Sequence, residues 1–237
     1  MKNALLLFFL IQSSCLLAQS PALQVQQFPE QRFEGGAQAF YSQISQTLLY
    51  PIEARQAGRT GTAIVALTVE TDGTYENIEF LNPLGYGIEE AIENAFESVE
   101  NNWLPDTSHL THTLKMLFLI SFNIEGIIAL RTPYDQRHFM EEISVVGYGE
   151  RPPNLRREKL IEKMYKHFEK ENFKKALFYI NELIRQDPFE KTWHLNRATI
   201  YANLGQNDQV CDTLYKLQEI LSVKITDELK AQYCHES

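Results

Sequence analysis

Apolar residues alternate with polar ones over three stretches in the first half of the chain, and this two-residue spacing predicts β-strands. The predicted strands are residues 61–70, 75–81 and 113–124. Asp72 and Gly73 stand between the first two strands, and an Asp-Gly pair is a strong signal for a tight hairpin turn. The first two strands are therefore expected to form an antiparallel hairpin.

Helical spacing predicts α-helices on both sides of that hairpin. Residues 40–48 and 88–99 carry apolar side chains three and four positions apart, as one buried face of a helix requires. A shorter helix is expected over residues 52–57, because a proline precedes it and a glycine follows it. The order helix, hairpin, helix, strand predicts an α+β domain over residues 28–126, with helices on a three-stranded antiparallel sheet.

The last third of the chain has helical spacing throughout. Apolar residues recur three and four positions apart between Leu160 and Leu221. Ala176 and Val210 are 34 residues apart, the period of the tetratricopeptide repeat, which this stretch resembles. We therefore expect residues 156–237 to form an all-helical unit of tetratricopeptide-like repeats. Such repeats either bind peptides on a concave face or serve only as packing units.

Residues 1–19 are typical of a secretory signal peptide. A positive Lys2 precedes an unbroken apolar run, and small and polar residues follow it. The run is short for a membrane span, which needs about 20 mostly apolar residues. We expect cleavage near Gln19 and a periplasmic protein. A retained anchor and a lipoprotein modified at Cys15 are the alternatives, the second weakened by Gln12, which stands where a lipobox has leucine.

Two cysteines remain in the chain after that cleavage, Cys211 and Cys234. An even number of cysteines in an exported protein favours a disulfide between them. The alternative is two buried free thiols within helices.

The charge of the chain is negative and unevenly distributed. The chain carries 22 Lys and Arg against 31 Asp and Glu, a net charge of −9. Residues 20–126 hold 4 basic and 14 acidic residues, whereas residues 127–237 hold 17 of each. An acidic surface argues against nucleic acid as a partner, because phosphate binding needs a basic face. The two compositions favour two structural units, joined by a linker at residues 127–155.

The sequence shows no catalytic signature: it has no nucleophile elbow, no phosphate-binding loop and no zinc-protease motif. We therefore expect a protein that is not an enzyme and that has no cofactor, no metal and no small-molecule substrate.

Short motifs along residues 33–125 resemble the C-terminal domain of TonB-family energy transducers. The stretch matches an opening tyrosine-proline motif, a hairpin turn, a glycine-tyrosine-glycine motif and a tryptophan-x-proline motif, in the order and at the spacing of that family. The matching residues are Tyr50, Pro51, Ala54, Arg55, Gly61, Asp72, Gly73, Gly85, Tyr86, Gly87, Trp103 and Pro105.

The resemblance implies a function in peptide binding. In that family an extended peptide of an outer-membrane receptor, the TonB box, adds by backbone hydrogen bonding to a free edge of the third strand. The chain would then be a periplasmic module linked to receptor-mediated transport. The alternative is a cell-envelope scaffold that binds partners through its helices, with the TonB-like domain structural only. The residues implied as the docking edge are Leu114, Lys115, Met116, Leu117, Phe118, Leu119, Ile120 and Ser121.

The linker contains a possible internal ligand for that edge. Ile143, Ser144, Val145 and Val146 form a β-prone run that resembles the TonB-box region of SusC-type receptors. Parallel pairing with the third strand needs a crossover of about a dozen residues or more, which residues 125–140 supply. We expect this run to pair in cis with the third strand, either as an inhibitory ligand or as a strand that protects a sheet edge from aggregation.

Overall fold

The structure, a computed structural model, describes residues 28–107, 113–125, 131–148 and 157–234. The predicted signal peptide lies outside the described residues. Among those residues, no helix has the length and apolar character needed to cross a membrane. The strands are β1 (Gly61–Val69), β2 (Tyr75–Asn82), β3 (Leu114–Ile124) and β4 (Ile143–Gly147). The helices are α1 (Gly36–Thr47), α2 (Ile52–Gln56), α3 (Ile88–Glu97), α4 (Arg157–Glu169), α5 (Phe173–Gln186), α6 (Lys191–Asn203), α7 (Asn207–Leu221) and α8 (Asp227–Tyr233).

The sheet is mixed and has four strands in the order β2-β1-β3-β4. Strand β1 is antiparallel to both β2 and β3, whereas β4 is parallel to β3. The predicted three-stranded antiparallel sheet was therefore wrong in its strand number and in the direction of one edge strand. The error arose because strands were counted only within residues 28–126, while the fourth strand comes from the segment assigned to the linker. A parallel partner requires a long crossover, and residues 125–142 provide it.

One face of the sheet packs against α1 and α3 through a cluster of aromatic side chains. The Phe40 ring of α1 stacks on Phe118 of β3 with ring centroids 5.4 Å apart, and Phe96 of α3 meets Phe118 edge-on at 5.3 Å. The alternate residues of β1 and β3 that the spacing predicted to face inward are buried in this core. They are Ala63, Val65, Leu67, Val69, Met116, Phe118, Ile120, Phe122 and Ile124.

The opposite face of the sheet is also buried, which the sequence analysis did not foresee. The segment before β4, the α5–α6 turn and α7 pack on it and form a second core. The Tyr134 ring stacks on Phe189 with centroids 3.9 Å apart. Because both faces are covered, the helical part and the sheet share one apolar interface. The buried residues of the second core are Ile64, Ala66, Leu81, Leu117, Leu119, Phe139, Phe189 and Ile220.

A buried arginine and two half-buried charged residues also join α5 to the start of β1. The Arg185 guanidinium donates to the carbonyl of Thr60 and to the Glu182 carboxylate, with Nη2···Oε2 at 2.9 Å. Arg59 donates to the other oxygen of Glu182 at 2.6 Å. Burial alone would raise the pKa of Glu182, but these two guanidinium groups outweigh it and lower the pKa.

A disulfide joins Cys211 of α7 to Cys234 after α8, the pairing that the sequence analysis favoured. The bridge closes a loop with a sequence separation of 23 residues. Loop-closure entropy assigns about 3 kcal/mol of stability to a loop of this length. We expect the chain with Cys211→Ser and Cys234→Ser to unfold in urea with that much less free energy than the oxidised parent. A reductant should bring the parent to the value of the double variant and leave the variant unchanged, and equal stabilities before reduction would contradict this.

A buried histidine makes the helical part sensitive to acid. His194 is fully buried in α6 and donates from Nε2 to the carbonyl of Pro188 at 2.8 Å. Burial, helped by the nearby positive charge of Arg197, lowers the pKa of His194 to about 4. An unfolded histidine has a pKa of about 6.5, so the unfolded chain takes up the proton first as the pH falls. The unfolding free energy is therefore unaffected by His194 above about pH 6.5 and falls progressively as the pH drops from 6.5 toward 4.

We therefore expect His194 to remove about 2 kcal/mol of unfolding free energy between pH 7.5 and pH 5. Urea titrations of the parent and of a His194→Gln variant at both pH values measure this contribution. The variant should be less pH-dependent by that amount, because every other titrating group is common to both proteins. Identical pH dependence in the two proteins would contradict it.

Candidate functional site

Strand β4 occupies the outer edge of β3, in the parallel sense expected from the sequence. The paired residues run from Ile120 opposite Ile143 to Ile124 opposite Gly147. The Glu125 N–H donates to the Gly147 carbonyl at 3.0 Å. One further bond extends the contact toward the start of β3, since the Met140 N–H donates to the Leu117 carbonyl at 2.8 Å.

The predicted docking residues lie in β3, but their side chains are divided between the two cores. Met116, Phe118 and Ile120 belong to the first core, and Leu117 and Leu119 to the second. A partner at this edge could therefore contact β3 mainly through its backbone.

The remaining docking residues differ in exposure. Leu114 packs partly against the first core. Lys115 points to α7, where its Nζ bonds to Glu219 at 2.7 Å and to the Tyr215 hydroxyl at 3.0 Å. Ser121 is buried beside Thr62, with 3.2 Å between their hydroxyl oxygens. Of the predicted set, only Ile120 and Ser121 lie directly opposite β4 residues, while Leu117 accepts from Met140.

The side chains of β4 alternate between the first core and solvent. Ile143 is 8% exposed within the first core, and Val145 packs against the same core. Ser144 and Val146 point outward, and Val146 is 55% exposed. This alternation follows from the two-residue period of a strand, so only every second residue of a strand at this edge meets the protein.

Gly147, the last residue of β4, lies directly against the tyrosine-proline motif. A Cβ atom at this position would stand 2.6 Å from a ring carbon of Tyr50 and 2.8 Å from Cδ of Arg55. The Tyr50 ring is held in place, because its hydroxyl donates to the Arg59 carbonyl at 2.7 Å and its ring packs edge-on against Phe122 at 5.2 Å. Burial raises the pKa of Tyr50 to about 12, so the hydroxyl stays protonated. The motif thus leaves room only for glycine.

The acidic side chain of Glu142, which immediately precedes β4, is held by hydrogen bonds. The Glu142 carboxylate accepts hydrogen bonds from the Ser121 hydroxyl of β3 and from Arg131 Nη2, the latter at 2.7 Å. Burial alone would raise the pKa of Glu142, but these two donors outweigh it and lower the pKa. The carboxylate is therefore ionised and paired at neutral pH.

A groove of about 710 Å³ adjoins the place where the chain enters this edge, just before β4. Tyr41 of α1, Leu119 of β3, and Tyr134 and Met140 of the crossover line it, together with Glu141. Burial and the nearby Glu141 raise the pKa of Tyr41 to about 12. The groove gives access from solvent to the region beside Leu119.

Most other residues of the glycine and turn motifs shape loops rather than contact β4. Asp72 accepts from the Thr74 N–H at 2.8 Å and closes the β1–β2 turn, and Gly73 has a φ of 91°. The Glu89 carboxylate accepts from the Gly85 N–H at 2.9 Å and so fixes the turn that carries Tyr86 and Gly87. Ala54, Gly61 and Trp103 are buried, Pro51 precedes α2, and Pro105 follows the isolated bridge between Phe33 and Trp103.

A comparison with known families matches the part of the chain that forms the first three strands. Residues 46–124 match the family described as Gram-negative bacterial TonB protein C-terminal. The match covers about a third of the chain and ends at the last residue of β3. Strands β1, β2 and β3 therefore lie within residues 46–124, here called the TonB-type segment. Strand β4 and the helical part lie outside it. No curated protein and no solved structure matches the chain.

The TonB C-terminal family is a protein-interaction family without catalytic activity, and its domains contact outer-membrane proteins in the cell envelope. In this chain the TonB-type segment supplies Tyr50 and Arg55, which face Gly147 of β4, and β3, whose Ser121 donates to Glu142. The roles of Gly147 and Glu142 were missed by sequence reasoning. Gly147 and the acidic Glu141 and Glu142 were visible beside the β-prone run, but their contacts depend on the register of β4.

Proposed function

We propose that this chain is a periplasmic TonB-type binding module that docks an extended peptide of an outer-membrane receptor on the outer edge of β3. The docking is strand addition, in which backbone hydrogen bonds supply affinity and alternate side chains supply specificity. The module would be linked in this way to receptor-mediated transport.

The parallel pairing of β4 with β3 is the observation that carries the proposal. Strand β4 comes from outside the TonB-type segment, yet it extends the sheet of that segment with regular pairing from Ile143 to Gly147. An edge that accepts a strand from elsewhere in the same chain has the geometry to accept a similar strand from another protein. In the present state β4 occupies the edge, so a receptor peptide has to displace it.

The groove beside Leu119 supports such a displacement. The Met140 N–H bonds to the Leu117 carbonyl of β3 ahead of the regular pairing, and the groove opens next to it. An incoming peptide can start to pair there and replace β4 one residue at a time, so the whole strand need not leave before binding begins.

A labelled peptide tests the proposal directly. The probe is the nine-residue sequence of residues 140–148, which reproduces the occupant of the edge, and the matched control is a scrambled peptide of the same composition. We expect fluorescence anisotropy to show saturable binding of the probe to a chain whose β4 is disrupted by Val145→Pro, and none of the scrambled peptide. If the probe did not bind, or if the scrambled peptide bound equally well, the proposal would be contradicted, and a scaffold that binds through its helices would be the better interpretation.

A further inference from the structure

Three positions along the edge strand face inward onto groups of the TonB-type segment, whereas the side chains of the other two point to solvent. The glycine position meets Tyr50 and Arg55, and the two inward aliphatic positions meet the first core. The outward positions of Ser144 and Val146 point to solvent. The contacts of an occupant of this edge therefore differ strongly from one position to the next.

The glycine position is the most restrictive. Contacts of 2.6 to 2.9 Å between a built Cβ atom and the Tyr50 ring or Arg55 Cδ are closer than side chains tolerate. The ring cannot move aside without losing its bond to the Arg59 carbonyl and its packing on Phe122. Overpacking of this kind is costly, so an alanine in place of this glycine is expected to bind much less well.

The acidic position contacts β3 itself. Ser121 donates its hydroxyl hydrogen to Glu142, and Ser121 remains in place when β4 leaves because it lies within β3. Arg131 belongs to the crossover and adds a second, charge-assisted bond in the present state. An occupant that begins with a carboxylate keeps at least the bond to Ser121.

We infer that the edge of β3 selects peptides of the form acidic, aliphatic, any, aliphatic, any, glycine. This inference rests on the proposed function and names the chemistry of its ligand. The partner is a protein with such a segment in an accessible, extended stretch of chain. The two free positions tolerate substitution because they face solvent.

The affinities of four peptides for the Val145→Pro chain distinguish sequence selectivity at the edge from strand addition itself. The parent peptide spans residues 140–148, one variant has alanine at the glycine, one has glutamine at the acid next to the strand, and one has alanine at the outward Val146 position. We expect the alanine-for-glycine peptide to bind about tenfold more weakly or worse. The glutamine peptide should lose about threefold to tenfold. The outward variant should bind within about twofold of the parent, because its side chain is solvated.

Changing the protein tests whether Tyr50 is the group that selects glycine. A Tyr50→Leu chain removes the ring, whereas Tyr50→Phe keeps the ring and loses only the hydroxyl. The alanine-for-glycine peptide should recover to within about threefold of the parent peptide on the leucine variant and remain weak on the phenylalanine variant. Circular dichroism confirms that each variant is folded before its binding is compared.

The outcomes distinguish a failure of the proposed function from a failure of the inferred selectivity. If no peptide binds, the proposed function fails. If the parent and the alanine-for-glycine peptides bind equally well, strand addition stands and the selection for glycine is wrong. If the discrimination persists in a folded Tyr50→Leu chain, the selectivity exists but Tyr50 does not cause it, and this part of the inference is overturned.

Discussion

A Val145→Pro chain should bind a receptor-type peptide about a hundredfold more tightly than the parent chain. A tethered strand has a local concentration of about 1 mM. A peptide with a dissociation constant of about 10 µM for the open edge must compete with it and loses about 2.7 kcal/mol. Proline at position 145 removes that competition because it disrupts the β4 ladder. Titration calorimetry of both chains with the same peptide measures the difference.

The choice of Val145 follows from the register. Gly147 bonds to β3 through its carbonyl, and Val145, two residues earlier, has the same orientation because a strand repeats every two residues. A proline there removes a backbone donor that faces β3. Ser144→Pro is the matched control, since its N–H faces away from the sheet and an edge strand tolerates proline at such a site. Equal affinity of the Val145→Pro and parent chains would show that β4 does not guard the edge.

A Glu182→Ala chain should unfold with about 3–5 kcal/mol less free energy than the parent. The substitution leaves the Arg185 guanidinium buried at the contact between α5 and β1 without its carboxylate. Arg59 loses the same partner. An isolated buried charge costs far more than an exposed ion pair contributes, so this change is expected to outweigh most surface substitutions.

Urea unfolding monitored by circular dichroism measures that loss. Glu158→Ala on α4 is the matched control, because Glu158 is exposed and its removal is expected to change the free energy by about 0.5 kcal/mol at most. If Glu182→Ala lost no more unfolding free energy than Glu158→Ala, the cluster of Arg59, Glu182 and Arg185 would not stabilise the contact between the helical part and the sheet.

Spacing predicted the first three strands and the two longer helices beside them to within a few residues, and a flanking proline and glycine predicted the short α2. The alternation of Ala63, Val65, Leu67 and Val69 has one physical cause, the burial of one strand face, and the structure shows that face in the first core. The Asp72–Gly73 turn was equally local, since an aspartate side chain and a glycine define it without help from distant residues.

The second core was not predicted, although one feature of β3 pointed to it. Leu117 and Leu119 made β3 apolar on both faces, which is typical of a strand covered on both sides. The sequence did not show which segment covers the second face. Phe189 of the α5–α6 turn and Ile220 of α7 reach it through the docking of the helical part, which helical spacing does not predict.

The candidate site divides in the same way. The β-prone run from Ile143 to Val146 was visible, and the length of the crossover permitted a parallel return. The contact of Gly147 with Tyr50 depends on the register between β3 and β4, since a shift of one residue would turn every side chain to the opposite face. No local pattern fixes that register, so this contact emerges only from the folded chain.

Hydrogen exchange of the β4 amides during peptide binding tests the central claim most directly. We predict that adding the unlabelled peptide of residues 140–148 to the parent chain will speed exchange over residues 143–147. The Glu125 amide, which bonds to Gly147 now and would bond to the docked peptide, should stay protected. Peptide binding that left residues 143–147 as protected as before would contradict the account, because the peptide would then occupy another surface.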